Sequence, residues 1–101
     1  YNVYGGLSGP CVKPIALRLV YECRRVGITI PIIGMGGISS GEDAVQMLMA
    51  GADLAGVGTA VYYRGPGVFD EINRELLAFL TRKKIKSIAD INRIIKPDHY
   101  L

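Results

Sequence analysis

Side chains that bind metals are scarce in this sequence of 101 residues, which has one histidine and two cysteines. Cys11 and Cys23 are not spaced as a C-x-x-C motif, and no histidine lies near them in the sequence. His99 stands alone close to the last residue. We therefore expect neither a metal site nor a disulfide.

Long apolar runs and strong charge are also missing. No stretch reaches the roughly 20 apolar residues of a membrane span, and the first residues lack the basic and then apolar layout of a signal peptide. The formal net charge is only +3. The one basic cluster, at residues 82–86, falls at the predicted end of a helix, where cations complement the helix dipole. We expect a cytoplasmic protein with no membrane or nucleic-acid partner.

Glycine, in contrast, is abundant at 13 residues, and two glycine-rich segments follow apolar runs typical of strands. In a parallel α/β arrangement both segments lie at the carboxyl edge of the sheet, where bare backbone N–H groups approach a phosphate closely. Gly36, Gly37, Gly58 and Thr59 can together satisfy a dianionic phosphate without a charged side chain. Taken singly, such glycines are as often packing or turn devices, and Thr59 is equally suited to cap a helix.

The first half of the chain predicts a helix and then a strand. The helix begins near Pro14 and ends at Gly27, a residue that commonly stops helices. Its spacing predicts a buried face formed by Ala16, Leu19, Val20 and Cys23. Residues 30–35 are a continuous apolar run, which indicates a strand covered on both faces.

A second helix and strand follow. Ser39 and Ser40 are each followed three places on by an acidic residue, a capping pattern that predicts a helix start near Gly41. Gly51 ends this helix, and residues 54–58 form the next strand. The apolar stripe of the helix consists of Ala44, Met47 and Leu48.

Two more helices are predicted after this unit, and one further strand before it. A third helix follows residues 65–67, and a last helix is capped by Ser87 and Asp90 and closed by Pro97. A third strand ends within residues 1–4. The apolar faces of these two helices comprise Phe69, Ile72, Leu76 and Leu80 in one and Ile88, Ile91, Ile94 and Ile95 in the other.

These elements predict an α/β fold, namely the C-terminal part of a (β/α)8 barrel with two clear parallel strands, a third in addition, and outer helices. A complete barrel takes about 250 residues, so residues 1–101 are interpreted as a single partial-barrel segment. Half of the residues are hydrophobic, and the mean hydropathy is +0.26. Unpaired strand edges and apolar helix faces favour contact with another copy, and we therefore expect a homo-oligomer.

A third glycine-rich loop, at residues 5–10, makes the order of motifs much more specific. With it, the chain resembles the C-terminal part of dihydroorotate dehydrogenases, most closely the class 1 enzymes of the cytosol, although residues 36–44 also resemble the membrane-associated class. The motifs that carry the resemblance are Gly-Gly-Leu-Ser-Gly-Pro at 5–10, Lys-Pro at 13–14, Ile-Gly-Met-Gly-Gly-Ile at 33–38, Ala-Gly-Ala at 50–52, Val-Gly-Thr-Ala at 57–60, Gly-Pro at 65–66 and Ser-Ile-Ala-Asp at 87–90.

The resemblance implies an FMN enzyme that oxidises dihydroorotate to orotate in pyrimidine synthesis, and it allows an iron–sulfur partner subunit. The family's contacts with FMN carry over to Gly9, with Ser8 beside it, to Gly36 and Gly37, and to Gly58 and Thr59. The family's catalytic base, its pyrimidine-binding asparagines and its flavin-side lysine belong to parts of the barrel that these residues do not include. We therefore assign no catalytic residue here and expect these residues alone to be inactive.

Two alternatives remain open from the sequence. One is another phosphate-binding barrel oxidoreductase, of the dihydropyrimidine or inosine-monophosphate type, although the loop at residues 5–10 argues against the latter. The other is a non-catalytic remnant that serves as an assembly module. Three further features are not assigned to the site. They are Cys11 at the start of a helix, Lys13 near a phosphate loop, and residues 62–64, which we interpret as ordinary loop packing.

Overall fold

The computed structural model describes residues 3–95 and contains alternating strands and helices. The elements are α1 (Lys13–Arg25), β1 (Ile33–Met35), α2 (Gly41–Ala50), β2 (Leu54–Gly56), α3 (Thr59–Arg64) and α4 (Val68–Arg82), with single 3-10 turns at Pro10–Val12 and Ile88–Asp90. No helix among the described residues is long and apolar enough to cross a membrane.

The two strands pair in parallel, with Ile33 opposite Leu54 and Met35 opposite Gly56. Helix α2 connects them, as a parallel pair requires. Gly34 lies in the middle of β1 and packs on α2 so closely that a Cβ there would come within 2.5 Å of the Met47 sulfur. Helices α1, α2 and α4 thus cover one face of the sheet around a core that includes Val20, Ile38, Ala44, Met47, Ala52, Val68 and Ile72.

Helix α2 begins at Gly41 and ends at Gly51, as its sequence predicts. The Ser40 hydroxyl accepts a hydrogen bond from the Asp43 N–H at 3.2 Å and so caps the helix. Gly51 has a φ of 133°, which favours glycine and ends the helix. The predicted stripe of Ala44, Met47 and Leu48 is buried.

The buried face of α1 follows the predicted one except at Leu19. Ala16 and Val20 belong to the core region and Cys23 is half-buried, whereas Leu19 is 61% exposed. Leu17 and Tyr21 pack against the core instead, because several apolar residues of this helix offer competing faces. In α4 the predicted Ile72, Leu76 and Leu80 are buried or half-buried, and only Phe69, which is 46% exposed, departs from the prediction.

The predicted last helix is wrong. Ser87 and Asp90 do form a capping box, but only the 3-10 turn at Ile88–Asp90 follows. The next residues instead turn back to α2: the Arg93 N–H donates to the Leu48 carbonyl at 3.0 Å, with a φ of 58° at Arg93. The Ile95 N–H likewise donates to the Met49 carbonyl at 3.3 Å, and a continuing helix would forfeit both of these bonds to the last turn of α2. Pro97 lies outside the described residues.

Two smaller predictions also need correction. Residues 62–64 are not a loop but part of α3, a short helix that starts at the residue after Gly58. A strand was expected to end within residues 1–4. Residues 1 and 2 lie outside the described residues, and Val3 and Tyr4 form a bend. Among residues 3–95 the sheet therefore has two strands.

One face of this sheet is bare. Ile33, Met35 and Leu54 are each at least 60% exposed, although apolar strand residues of this kind are normally buried. An apolar groove of about 160 Å³ also opens between β2 and α4, beside Leu54, Phe69 and Ile72. The prediction that β1 is covered on both faces therefore fails for these residues taken alone.

Candidate phosphate-binding site

The structure brings the predicted glycine segments together at one edge of the sheet. Gly36 and Gly37 directly follow β1, and Gly58 and Thr59 follow β2 with one residue between. Because Met35 pairs with Gly56 in parallel, both segments leave the sheet at its carboxyl edge. This is the edge at which open α/β sheets and barrels bind ligands.

Gly9 joins the same site from the loop before α1. A Cβ placed on Gly9 would lie 3.7 Å from the Thr59 methyl, and a Cβ on Gly37 would lie 3.0 Å from the Gly9 carbonyl oxygen. Gly9 itself is buried, whereas Gly58 is exposed. Gly9 therefore lies between the other two segments and holds their backbones close together.

Gly37 must be a glycine for two independent reasons. Its φ of 73° lies in the left-handed region, and a Cβ there would also lie only 2.8 Å from the backbone nitrogen of Lys13. Gly58 differs, because a Cβ there would meet nothing within 4 Å. The space in front of Gly58 is thus open to a ligand.

The edge presents backbone and hydroxyl donors. Gly37 and Gly58 donate none of the turn and loop hydrogen bonds of residues 3–95. Helix α3 begins at Thr59, and the first N–H groups of a helix have no partner within it. The Thr59 hydroxyl makes no hydrogen bond to another described residue. Donors of this kind, with open space at Gly58, fit the oxygens of a phosphate group.

A buried carboxylate lies directly behind this edge. Asp43, in the first turn of α2, is 9% exposed and accepts hydrogen bonds from the Ser39 N–H at 3.0 Å and the Ser39 hydroxyl at 3.1 Å. The Lys13 ammonium reaches it from α1 at 2.6 Å. Burial raises the pKa of the Asp43 carboxyl, but the hydrogen bonds from Lys13 and Ser39 outweigh it and hold the pKa below its ordinary value.

A second cation reaches the same loop from the other side. The Arg64 guanidinium, at the end of α3, donates to the Ser39 carbonyl and pairs with Glu71 of α4. Sequence reasoning did not assign roles to Asp43 and Arg64. The signal for Asp43 was present, since it belongs to the capping pattern at residues 39–43, but its pairing with Lys13 across 30 positions leaves no local trace in the sequence.

The opposite edge of the sheet has its own polar cluster. The Arg24 side chain is 11% exposed and donates to the carbonyls of Ile28, Ile30 and Gly51 and to the Asp53 carboxylate. Asp53 also accepts from the Ile32 N–H at 2.9 Å. That hydrogen bond, reinforced by Arg93 and Arg24, lowers the pKa of Asp53. These contacts hold together the segments that precede β1 and β2.

The other side chains singled out from the sequence are cysteines and tyrosines. Cys11 and Cys23 are both free thiols, and the Cys11 thiol donates to the Ser8 carbonyl, beside Gly9, with the sulfur and oxygen 3.6 Å apart. The described residues contain no group of three side chains that could hold a metal ion. Tyr62 and Tyr63 are exposed and stack edge to face, with ring centroids 5.1 Å apart.

Comparisons with known proteins show the family and the fold. The fold is that of part of a (β/α)8 barrel, and its glycine edge is a candidate phosphate site. The family model described as dihydroorotate dehydrogenase matches residues 1–80. The chain belongs to the dihydroorotate dehydrogenase family.

Individual relatives give a finer comparison. The chain is 51% identical over 90 residues to the catalytic subunit of dihydroorotate dehydrogenase B (NAD(+)) from Pyrococcus horikoshii, and 46% identical to the subunit of the same name from Methanothermobacter thermautotrophicus. Each match covers 89% of this chain and 29% of the relative. The chain therefore spans less than a third of the length of these relatives.

Solved structures show the same relationship. The crystal structure of ligand-free DHODH from Eimeria tenella superimposes with a TM-score of 0.83 at 34% sequence identity, covering 96% of this chain and 26% of that one. The complex of that enzyme with ferulenol gives a TM-score of 0.82. The α/β fold is thus part of a barrel, as the sequence predicts.

Proposed function

We propose that this chain holds the phosphate of FMN in a dihydroorotate dehydrogenase, which oxidises dihydroorotate to orotate in pyrimidine synthesis. The observation that carries the proposal is the meeting of Gly9, Gly36, Gly37, Gly58 and Thr59 at one sheet edge, with open space at Gly58. Membership of the dihydroorotate dehydrogenase family supports FMN as the ligand.

In this proposal the chain's own residues bind and orient the cofactor. The N–H groups of Gly36, Gly37 and Gly58 donate to the phosphate oxygens, and Thr59 adds an N–H and its hydroxyl. Gly9 keeps the segments close enough to act together. FMN, when bound, supplies the acceptor for the hydride of the substrate. The reacting groups come from other parts of the barrel, so the contribution of this segment is to position the cofactor. Such reactions lose much of their rate when the reacting groups are not positioned.

The names of the relatives support a proposal for the electron acceptor and the partner subunit. Two of the most similar proteins are named catalytic subunits of an NAD(+)-dependent B-type enzyme. We propose that the protein is of this type and passes electrons to NAD⁺ through a separate iron–sulfur subunit, in the cytoplasm. Self-association through the bare sheet face remains a prediction as well.

The experiment is a flavin titration followed by fluorescence, with riboflavin as the control because it lacks the phosphate. The proposal predicts that the protein at its natural length binds FMN far more tightly than riboflavin. Equal affinity for the two would exclude the phosphate site. Binding of neither would favour the non-catalytic assembly module. Binding of FMN without oxidation of dihydroorotate would favour a different FMN barrel enzyme.

A further inference from the structure

Polar contacts connect the three glycine segments through Ser39 and Asp43, two residues that are hydrogen-bonded to each other. Lys13 comes from the start of α1, directly after the loop that carries Gly9, and ends on Asp43 at 2.6 Å. Arg64 comes from the end of α3, the helix that starts at Thr59, and ends on the Ser39 carbonyl. Both cations therefore tie a separate segment to the loop that follows Gly36 and Gly37.

Asp43 is the centre of this arrangement. One of its oxygens accepts both the N–H and the hydroxyl of Ser39, at 3.0 and 3.1 Å, and the other accepts the Lys13 ammonium. Only 13% of its side chain is exposed, so these bonds are shielded from competing water. A carboxylate held by three donors has little freedom to move, and it fixes the backbone of Ser39, two residues from Gly37.

We propose that Asp43 is a positioning residue for the phosphate site, which sets the spacing between the loop after β1 and the start of α1. This inference rests on the proposed function, since the ligand it serves is the phosphate of FMN. Asp43 would not contact the phosphate. It acts through Ser39 and Lys13, which hold the donors of Gly36 and Gly37 in place.

A purely electrostatic role of Asp43 and a positioning role predict opposite effects on phosphate binding when its carboxylate is lost. Asp43→Asn removes a negative charge next to an anion site and leaves the Lys13 ammonium uncompensated, which by electrostatics alone strengthens phosphate binding. If Asp43 positions the loop, the same change weakens phosphate binding, because the three charge-assisted bonds from Lys13 and Ser39 become weaker or are lost. The sign of the change therefore separates the two roles.

The test compares D43N with a matched control, D53N, in the protein at its natural length. Asp53 also accepts a backbone N–H and pairs with a cation, but it lies at the opposite edge of the sheet. The measured quantity is the ratio of FMN affinity to riboflavin affinity. We expect D43N to lower this ratio by about tenfold or more, the usual effect of losing a hydrogen bond to a charged group, while D53N leaves it unchanged.

A second variant covers the case in which D43N does not fold. Ser39→Ala removes the hydroxyl donor to Asp43 and changes no charge, so electrostatics alone predicts no effect on phosphate binding. We expect S39A to lower the FMN to riboflavin ratio. An unchanged or higher ratio in D43N, or an unchanged ratio in S39A where D43N does not fold, would overturn the positioning role. A wild-type protein that does not distinguish FMN from riboflavin would overturn the proposed function itself.

Discussion

At the scale of single residues, the glycines of the site differ in why they are glycines. Gly37 is fixed by its φ of 73° and by contact with Lys13, so the fold itself requires it. Gly58 has open space in front of its Cα, and no contact within the described chain explains the absence of a side chain there. We attribute that absence to a ligand that approaches the backbone.

This difference gives a prediction for two alanine variants. Gly37→Ala should destabilise the protein by about 1–3 kcal/mol, because it combines a left-handed φ with a steric overlap. Gly58→Ala should leave the melting temperature almost unchanged but weaken FMN binding several-fold, with riboflavin affinity unaffected. Thermal denaturation and flavin titration of both variants measure these effects. Full FMN affinity in a folded G58A protein would mean that the phosphate lies elsewhere.

The lowered pKa of Asp43 predicts how stability depends on pH. A carboxyl whose pKa is lower in the folded state stabilises the fold above its ordinary pKa of 3.8, and it loses that contribution as the pH falls through the folded value. Asp53 acts in the same direction. Melting temperatures should therefore fall as the pH drops below the ordinary pKa of 3.8, and less steeply in D43N than in the wild type. Identical pH profiles would show that the Lys13–Asp43 pair adds nothing to stability.

At the scale of elements, local signals predicted the helix that matters most for the site. The Ser40 cap and Gly51 define both ends of α2 because capping and left-handed glycine act within a few residues. The helix expected after Ser87 failed because its residues bond instead to the end of α2, more than 40 positions earlier in the chain. In α1 the prediction failed at Leu19 for a related reason, since only the arrangement of α2 and the sheet selects Leu17 and Tyr21 over it.

The crossing of α2 and α4 depends on a second structural glycine. A Cβ on Gly41 would lie 2.7 Å from the backbone nitrogen of Leu76, and the Glu75 carboxylate accepts the Gly41 N–H at 3.2 Å. Gly41→Ala should therefore push the helices apart and cost about 1–3 kcal/mol of unfolding free energy. Gly67→Ala is the control, because a Cβ there meets nothing within 4 Å. Urea denaturation should separate the two variants, and equal stabilities would contradict this packing.

At the scale of the whole molecule, the glycine segments meet on a sheet that has one uncovered face. The segments after β1 and β2 lie at one edge, whereas the side chains of Ile33, Met35 and Leu54 project from the uncovered face. The sequence predicted this meeting because the segments are short local motifs that follow the two strands, and their binding of a phosphate stays a prediction. It predicted strands covered on both faces because their apolar runs are those of a barrel interior, which the described residues do not enclose.

The bare face leads to a prediction for the 101-residue chain produced on its own. Exposed strand edges and apolar patches promote association, so the chain should form dimers or larger species that dissociate only on dilution. Light scattering over a wide concentration range measures this directly. A monomer at all concentrations would show that the face is tolerated in water.

The most direct test of the account is the response of single glycine amides to the cofactor. In the protein at its natural length, labelled with nitrogen-15 glycine, the amide resonances of Gly36, Gly37 and Gly58 should shift strongly with FMN and far less with riboflavin. Gly27 and Gly51, beyond the other edge of the sheet, should respond to neither. Shifts of the same size with both flavins, or none at these three glycines, would contradict the claim that this edge binds the phosphate.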